Sequence, residues 1–178
     1  PFINSFPSLK SIKSSISDFN NENRKVLVSV LKEQYQKTCF SDNDLHKVKG
    51  NINKLLQHKS YTIVTGHQIH IFASPLFLIY KIISVISYAN YLNKNLKKCH
   101  FVPCFWMATE DHDFQEINHL QLDDERYTWD LNHQNAIGNL TSKSVLKVLN
   151  RIEKKLKKTE FGTDLYRIYN SAYSNNYN

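Results

Sequence analysis

Two stretches decide how this chain folds: Thr62-Ile63-Val64-Thr65-Gly66-His67-Gln68, and Phe101-Val102-Pro103-Cys104-Phe105-Trp106-Met107-Ala108-Thr109-Glu110-Asp111-His112-Asp113. Each is an apolar run closed by a polar cluster. Residues 61–65, Tyr61 followed by four β-branched residues, have the composition and length of a buried strand. Residues 101–108 read as a second strand, with Pro103 at its start or on an edge because proline cannot donate to a ladder. Between them a helix runs from about residue 75 to about residue 93, apolar nearly all round, with Pro75 suited to its first turn. Strand, helix, strand in this order is a βαβ unit with parallel strands and a right-handed crossover. Both clusters then leave the sheet at the same C-terminal edge, where open α/β sheets bind ligands.

The first cluster, Thr65, Gly66, His67 and Gln68 with His70, leads toward a helix N-terminus. Backbone N–H groups and the helix dipole favour a phosphate or carboxylate there. Gly66 permits a tight turn and close approach, and His67 and Gln68 add donors. The blander reading is a polar strand-to-helix turn. In the second cluster, Glu110, Asp111 and Asp113 flank His112. Such a group can bind a metal, hold a substrate ammonium, or set up a general base with a raised pKa. Zinc is poorly supported, because neighbours in sequence rarely face one ion and no second motif has ligand spacing. The bland alternative is helix capping by Thr109 or Asp113, with Glu116 at the N3 position.

Outward from these clusters the chain reads as support. Residues 1–20 look irregular, with many serines; Phe2, Ile3 and Phe6 can dock. Residues 22–36 form a helix with Leu27, Val30, Leu31 and Tyr35 on one stripe. Residues 42–57 form another, capped by Ser41, with Leu45, Val48, Ile52, Leu55 and Leu56 on one face and Gly50 weakening it by about 1 kcal/mol. Beyond the second cluster, residues 119–122 and 127–131 are short strands joined by an acidic turn. Helices near 142–158 and 163–173 follow. The division expected is a helical lead-in over 1–58 and an α/β core over 59–178.

A helix as apolar as that over 75–93 also invites a membrane reading. Lys81 in mid-span, Pro75 and the flanking strands that need partners oppose it. The net charge of +7 admits a nucleic-acid partner. The lysines are scattered except for Lys154, Lys155, Lys157 and Lys158, which lack the interleaved aromatics of single-strand binders. Three cysteines, Cys39, Cys99 and Cys104, give no paired framework and point to a reducing compartment. The chain begins on Pro1 and ends on Asn178 without a closing element, so it reads as part of a longer protein.

Several motifs together carry a resemblance. Thr65-Gly66-His67-Gln68, Phe72, Pro75-Leu76 and Ile79-Tyr80-Lys81 are followed by Val102-Pro103, by Phe105 through Phe114, and by Glu116-Ile117-Asn118. In this order they closely resemble the bacillithiol biosynthesis cysteine-adding enzymes, over about residues 61–120. The helical lead-in, Glu22 to Leu27, is similar too. His67 and His70 also share the His-x-x-His spacing of the class I aminoacyl-tRNA synthetase signature, without its glycine. The resemblance implies an α/β, Rossmann-like parallel-sheet core akin to class I nucleotidylyltransferases, with a coiled coil further along that offers a homodimer contact. It implies a cytoplasmic ligase that adds cysteine to the amine of glucosaminyl-malate through an amide bond.

ATP is the expected co-substrate, by analogy with the synthetase-like fold, and no metal is expected. Glu110, Asp111 and Asp113 would hold the substrate amine and His112 would move the proton. Thr65, Gly66, His67, Gln68, His70 and Lys81 would contact substrate or nucleotide. The competing expectation is a nucleotide- or nucleic-acid-binding module without ligase activity. The family loop usually has Gly where His70 and Ser74 stand; Ser74 fits only if its backbone avoids positive φ.

Overall fold

A computed structural model describes residues 6, 8–17, 23–36, 42–132 and 135–174. Phe2, Ile3, Cys39, the Ser41 cap and the last four residues lie outside them. The fold is α/β. Its centre is the expected strand–helix–strand unit: β1 (Ser60–His67), α4 (Leu76–Asn95) and β2 (His100–Met107), preceded by α1 (Leu9–Ser17), α2 (Arg24–Gln36) and α3 (Asp42–Lys54). β1 and β2 pair. At the two ends of the ladder, His100 N–H donates to the Lys59 carbonyl (2.8 Å) and Ala108 N–H to the His67 carbonyl (3.4 Å). Both bonds join residues 41 apart, and a constant separation is the mark of parallel strands.

The chain divides into two compact units, Pro1–Val64 with Ser84–Cys104, and Thr65–Ile83 with Phe105–Asn178. In the first unit two small cores form. Val28, Ile52, Leu55 and Val102 make one, with Leu31, Tyr35 and Val48 against it. Ala89, Leu92, Leu96 and Phe101 make the other. Asn93 clasps Phe101 reciprocally, its amide donating to the Phe101 carbonyl (2.8 Å) and its carbonyl accepting the Phe101 N–H (2.9 Å). That clasp fixes where α4 ends and β2 begins.

Two expectations fail here. Residues 1–20 are not irregular throughout, because α1 brings Leu9, Ile12 and Ile16 onto the second core at i, i+3 and i+7. The α2 stripe is also rotated. Val28 is its buried residue, with Leu31 and Tyr35 beside it, while Leu27 and Val30 face out. The same spacing rule admits either face, and packing chose the other. Likewise Leu56 is exposed beyond the end of α3.

In the second unit, β1 and β2 end and α4 begins. A 3-10 turn (Ile71–Ala73) links β1 to α4, and α5 (Phe114–Ile117) follows β2. β3 (His119–Leu122) and β4 (Glu125–Thr128) form an antiparallel hairpin with Leu120 opposite Tyr127. The second strand of the hairpin begins two residues earlier than its apolar content indicates. α6 (Leu146–Leu156) and α7 (Gly162–Ser174) complete the unit. α6 turns Val148, Leu149, Ile152 and Leu156 into a core shared with Ile71, Phe72, Ile117 and Trp129. Leu149 and Ile152 are fully buried, and each contributes about 1.5–3 kcal/mol by leaving water.

α4 is long and apolar enough to cross a membrane by length and composition. A spanning α4 would carry the β1–β2 pair into the bilayer with open edges, which hydrocarbon does not tolerate. α4 is not enclosed: only 17% of its most apolar window is buried, and Leu76, Phe77, Tyr80 and Ile83 are exposed.

Candidate functional site

Both clusters lie in the second unit. β1 runs on through Gly66 and His67 instead of turning at Gly66. No glycine among the described residues has positive φ. What requires a glycine at 66 is the neighbouring strand: a Cβ there would sit 3.0 Å from the Trp106 carbonyl oxygen and 3.3 Å from its Cβ. The close approach foreseen for a ligand is thus made by β2. Nor do His67 and Gln68 stand at a helix N-terminus, because the 3-10 turn intervenes before α4. Lys81 reaches back from α4 to donate to the Gly66 carbonyl (2.9 Å), with its ammonium 4.8 Å from the Phe77 ring centre. Ser74 has φ −85°, so serine stands without strain where the related loop has glycine.

Three histidines gather behind this edge. The His67 and His70 rings meet edge to face at 5.2 Å. His67 Nδ1, His70 Nε2, His119 Nδ1 and Asn118 Oδ1 are buried with no hydrogen-bond partner among the described residues. Each such atom costs about 1–3 kcal/mol until something completes it. Burial chiefly holds the His70 imidazole below the usual histidine range. The His67 ring adds to that, Glu116 opposes it, and His119 again lowers it. A desolvated imidazole such as that of His70 gains when an anion arrives, because the anion favours the protonated form. Among the described residues no group of three or more His, Cys, Asp or Glu is arranged for a metal ion.

The second cluster follows β2 directly. Two of its carboxylates are engaged by backbone. Asp113 caps α5, its Oδ1 accepting the Glu116 N–H at 3.2 Å as the capping pattern predicts. Asp111 Oδ1 accepts the Asp113 N–H at 3.0 Å. That bond is the first cause of an Asp111 pKa below the ordinary carboxylate value; burial opposes it, and the His112 backbone, the Gln68 side chain and the His112 charge reinforce it. Asp111 is therefore an anion near neutrality, not a general base of raised pKa. The Gln68 side chain favours the ionised Asp111 carboxylate, so the two clusters are electrostatic neighbours. Glu110 and His112 remain exposed at the rim.

Residues 137 and 138 hold this cluster from behind. Ile137 N–H donates to the Asp111 carbonyl and Gly138 N–H to the Thr109 carbonyl, both at 2.8 Å. A Cβ on Gly138 would lie 2.7 Å from Thr109 Cβ. Phe114 packs edge to face on Trp129 at 5.0 Å, and Trp129 N–H donates to the Asn118 carbonyl (2.7 Å). His119 and Gly138 are the residues a reading of the sequence passes over, and Asn118 enters it only within the motif that carries the resemblance. The signal for His119 is its position right after that motif, at the start of what reads as an ordinary hairpin.

Comparison with known proteins identifies the family. The family model for the bacillithiol biosynthesis BshC N-terminal Rossmann-like domain matches residues 1–178. The chain is 42% identical over 147 residues to "Putative cysteine ligase BshC" of Flavobacterium psychrophilum, covering 80% of this chain and 27% of that protein. The proteins of the same name from Flavobacterium johnsoniae (35% over 174 residues; 96% and 32%) and Christiangramia forsetii (36% over 152; 81% and 28%) are similar. The chain thus spans about a third or less of the relatives it matches. By its sequence, its parallel βαβ unit and this match, the chain belongs to the BshC N-terminal Rossmann-like domain family.

Proposed function

We propose that this chain carries part of the site of a cytoplasmic cysteine ligase of bacillithiol biosynthesis, one that joins the cysteine carboxylate to the amine of glucosaminyl-malate. The observation that supports the reading is the closeness of Gln68 and Asp111: the Gln68 side chain favours the ionised Asp111 carboxylate, so the two clusters can serve one site. Around it the charges sort by role. Asp111, ionised near neutrality, attracts an ammonium, and the exposed Glu110 and Asp113 add to the same field. A substrate amine is drawn there and must lose its proton before it can attack a carboxyl carbon. His112, the exposed imidazole of the cluster, takes that proton.

The histidine side of the site suits an anion. The buried, unpartnered nitrogens of His67, His70 and His119 are a donor set that an oxyanion would complete. His67, His70 and Gln68 are the residues that would hold the phosphates of ATP. When bound, ATP would supply the activation that amide formation from a carboxylate needs. Lys81 acts indirectly, tying α4 to the strand that bears His67. A homodimer through a coiled coil belongs to the same proposal for the longer relatives.

The test is mass-spectrometric detection of bacillithiol in a strain lacking its own cysteine-adding enzyme, complemented with the full-length gene that contains this segment. Restored thiol is the result expected. Folded, well-expressed protein without thiol would refute the ligase reading.

A further inference from the structure

The turn between the first cluster and α4 adopts a backbone its sequence does not favour. Phe72 (φ 57°, ψ 25°) and Ala73 (φ 52°) are both left-handed, and neither is Gly or Asn. Consecutive residues of this kind persist only where the surroundings hold them. What holds them is α7. The Tyr173 hydroxyl accepts the Phe72 N–H at 2.8 Å, and the Tyr169 hydroxyl donates to the Phe72 carbonyl at 2.9 Å. The two tyrosines are four residues apart on one helix face. Their rings both meet the Phe72 ring edge to face, at 5.2 and 5.4 Å. Burial pushes both phenols above their ordinary pKa, so they stay protonated. Both backbone polar groups of Phe72 are therefore taken by a helix nearly a hundred residues away in sequence.

We propose that Tyr169 and Tyr173 are positioning residues for the first cluster: by clamping Phe72 in its left-handed turn they hold His70 against His67. Without the clamp, the left-handed residues relax toward negative φ. The link from His70 to Phe72, the single residue Ile71, then moves, and the imidazole pair opens to water. The proposal rests on the reading of these histidines as an anion site, but its geometry is independent of turnover.

The test uses the 178-residue chain. Histidine ring signals are followed by NMR through a pH titration, with and without inorganic phosphate, in the parent, Tyr173→Phe and Tyr169→Phe. The titration of His70 should rise toward the ordinary histidine value in both variants, and phosphate affinity should fall several-fold while unfolding stays cooperative. Adding Ala73→Gly to Tyr173→Phe should restore both, since glycine removes strain at that position. An unchanged His70 titration in folded variants would overturn the clamp. Where the variants do not fold, amide exchange of Phe72 in the parent decides. Protection equal to that of α7 supports the clamp, and exchange at the rate of an open loop contradicts it. A moved His70 titration with no phosphate binding even in the parent would keep the clamp and remove the anion reading.

Discussion

Gly138 is the residue on which the second cluster leans. Its N–H and that of Ile137 fix the Thr109 and Asp111 carbonyls, and there is no room behind them for a methyl group. Gly138→Ala should cost about 1–3 kcal/mol, read by urea denaturation, and should lower the turnover of the full-length enzyme more than its folded fraction falls. An unchanged midpoint would mean that Thr109 yields freely. His70 makes a second prediction at this scale. Burial and the His67 ring hold it low in the folded state, against Glu116 and with His119. The unfolded chain then binds the proton more readily than the folded one. The stabilisation is complete above the ordinary histidine pKa of about 6.5 and is lost as pH falls below it toward the depressed folded value. Urea midpoints should drop between about pH 7.5 and about pH 5.5, and His70→Gln should flatten that drop. A parallel drop in the variant would assign the effect to other groups. The candidate residues of both clusters could be found from sequence because odd polar groups closed apolar runs. Gly138 and His119 could not, because their roles depend on residues distant in the chain.

At the scale of elements, strands and long helices were legible where one period dominated. The βαβ unit was visible from β-branched runs and a long apolar helix. α1 was hidden by serines, whose preference for turns masks three apolar residues at helical spacing. The phase of α2 was ambiguous because apolar residues occupy both candidate faces. α7 was foreseen as a helix, but its clamp on the Phe72 turn was not. α7 also depends on its first residue: a Cβ on Gly162 would fall 1.5 Å from the Leu156 carbonyl oxygen. Gly162→Ala must therefore shift the start of α7 relative to α6. The expected loss is about 1–3 kcal/mol or more, with weakened protection of the Phe72 amide in exchange experiments. Stability loss without any change at Phe72 would separate the helix start from the clamp.

The whole molecule carries an apolar excess on its surface. α4 exposes Leu76, Phe77, Tyr80 and Ile83, and Trp106 and Met107 are exposed at the end of β2. Exposed large apolar side chains on one helix favour association. The 178-residue chain should therefore associate as its concentration rises in sedimentation experiments, and Ile83→Glu should reduce this; a monomer at every concentration would contradict it. The matched relatives are about three times as long or longer, so catalysis is best measured in the full-length protein. In the proposed function the two clusters act as one site through Gln68 and Asp111. The most direct measurement is a double-mutant cycle, with Gln68→Ala, Asp111→Ala and both, reading kcat/KM for thiol formation in the full-length enzyme. Residues of one site in contact should show a coupling of about 0.5–3 kcal/mol. Additive losses, within about 0.3–0.5 kcal/mol, would mean that the clusters work apart, and the single-site account would fall.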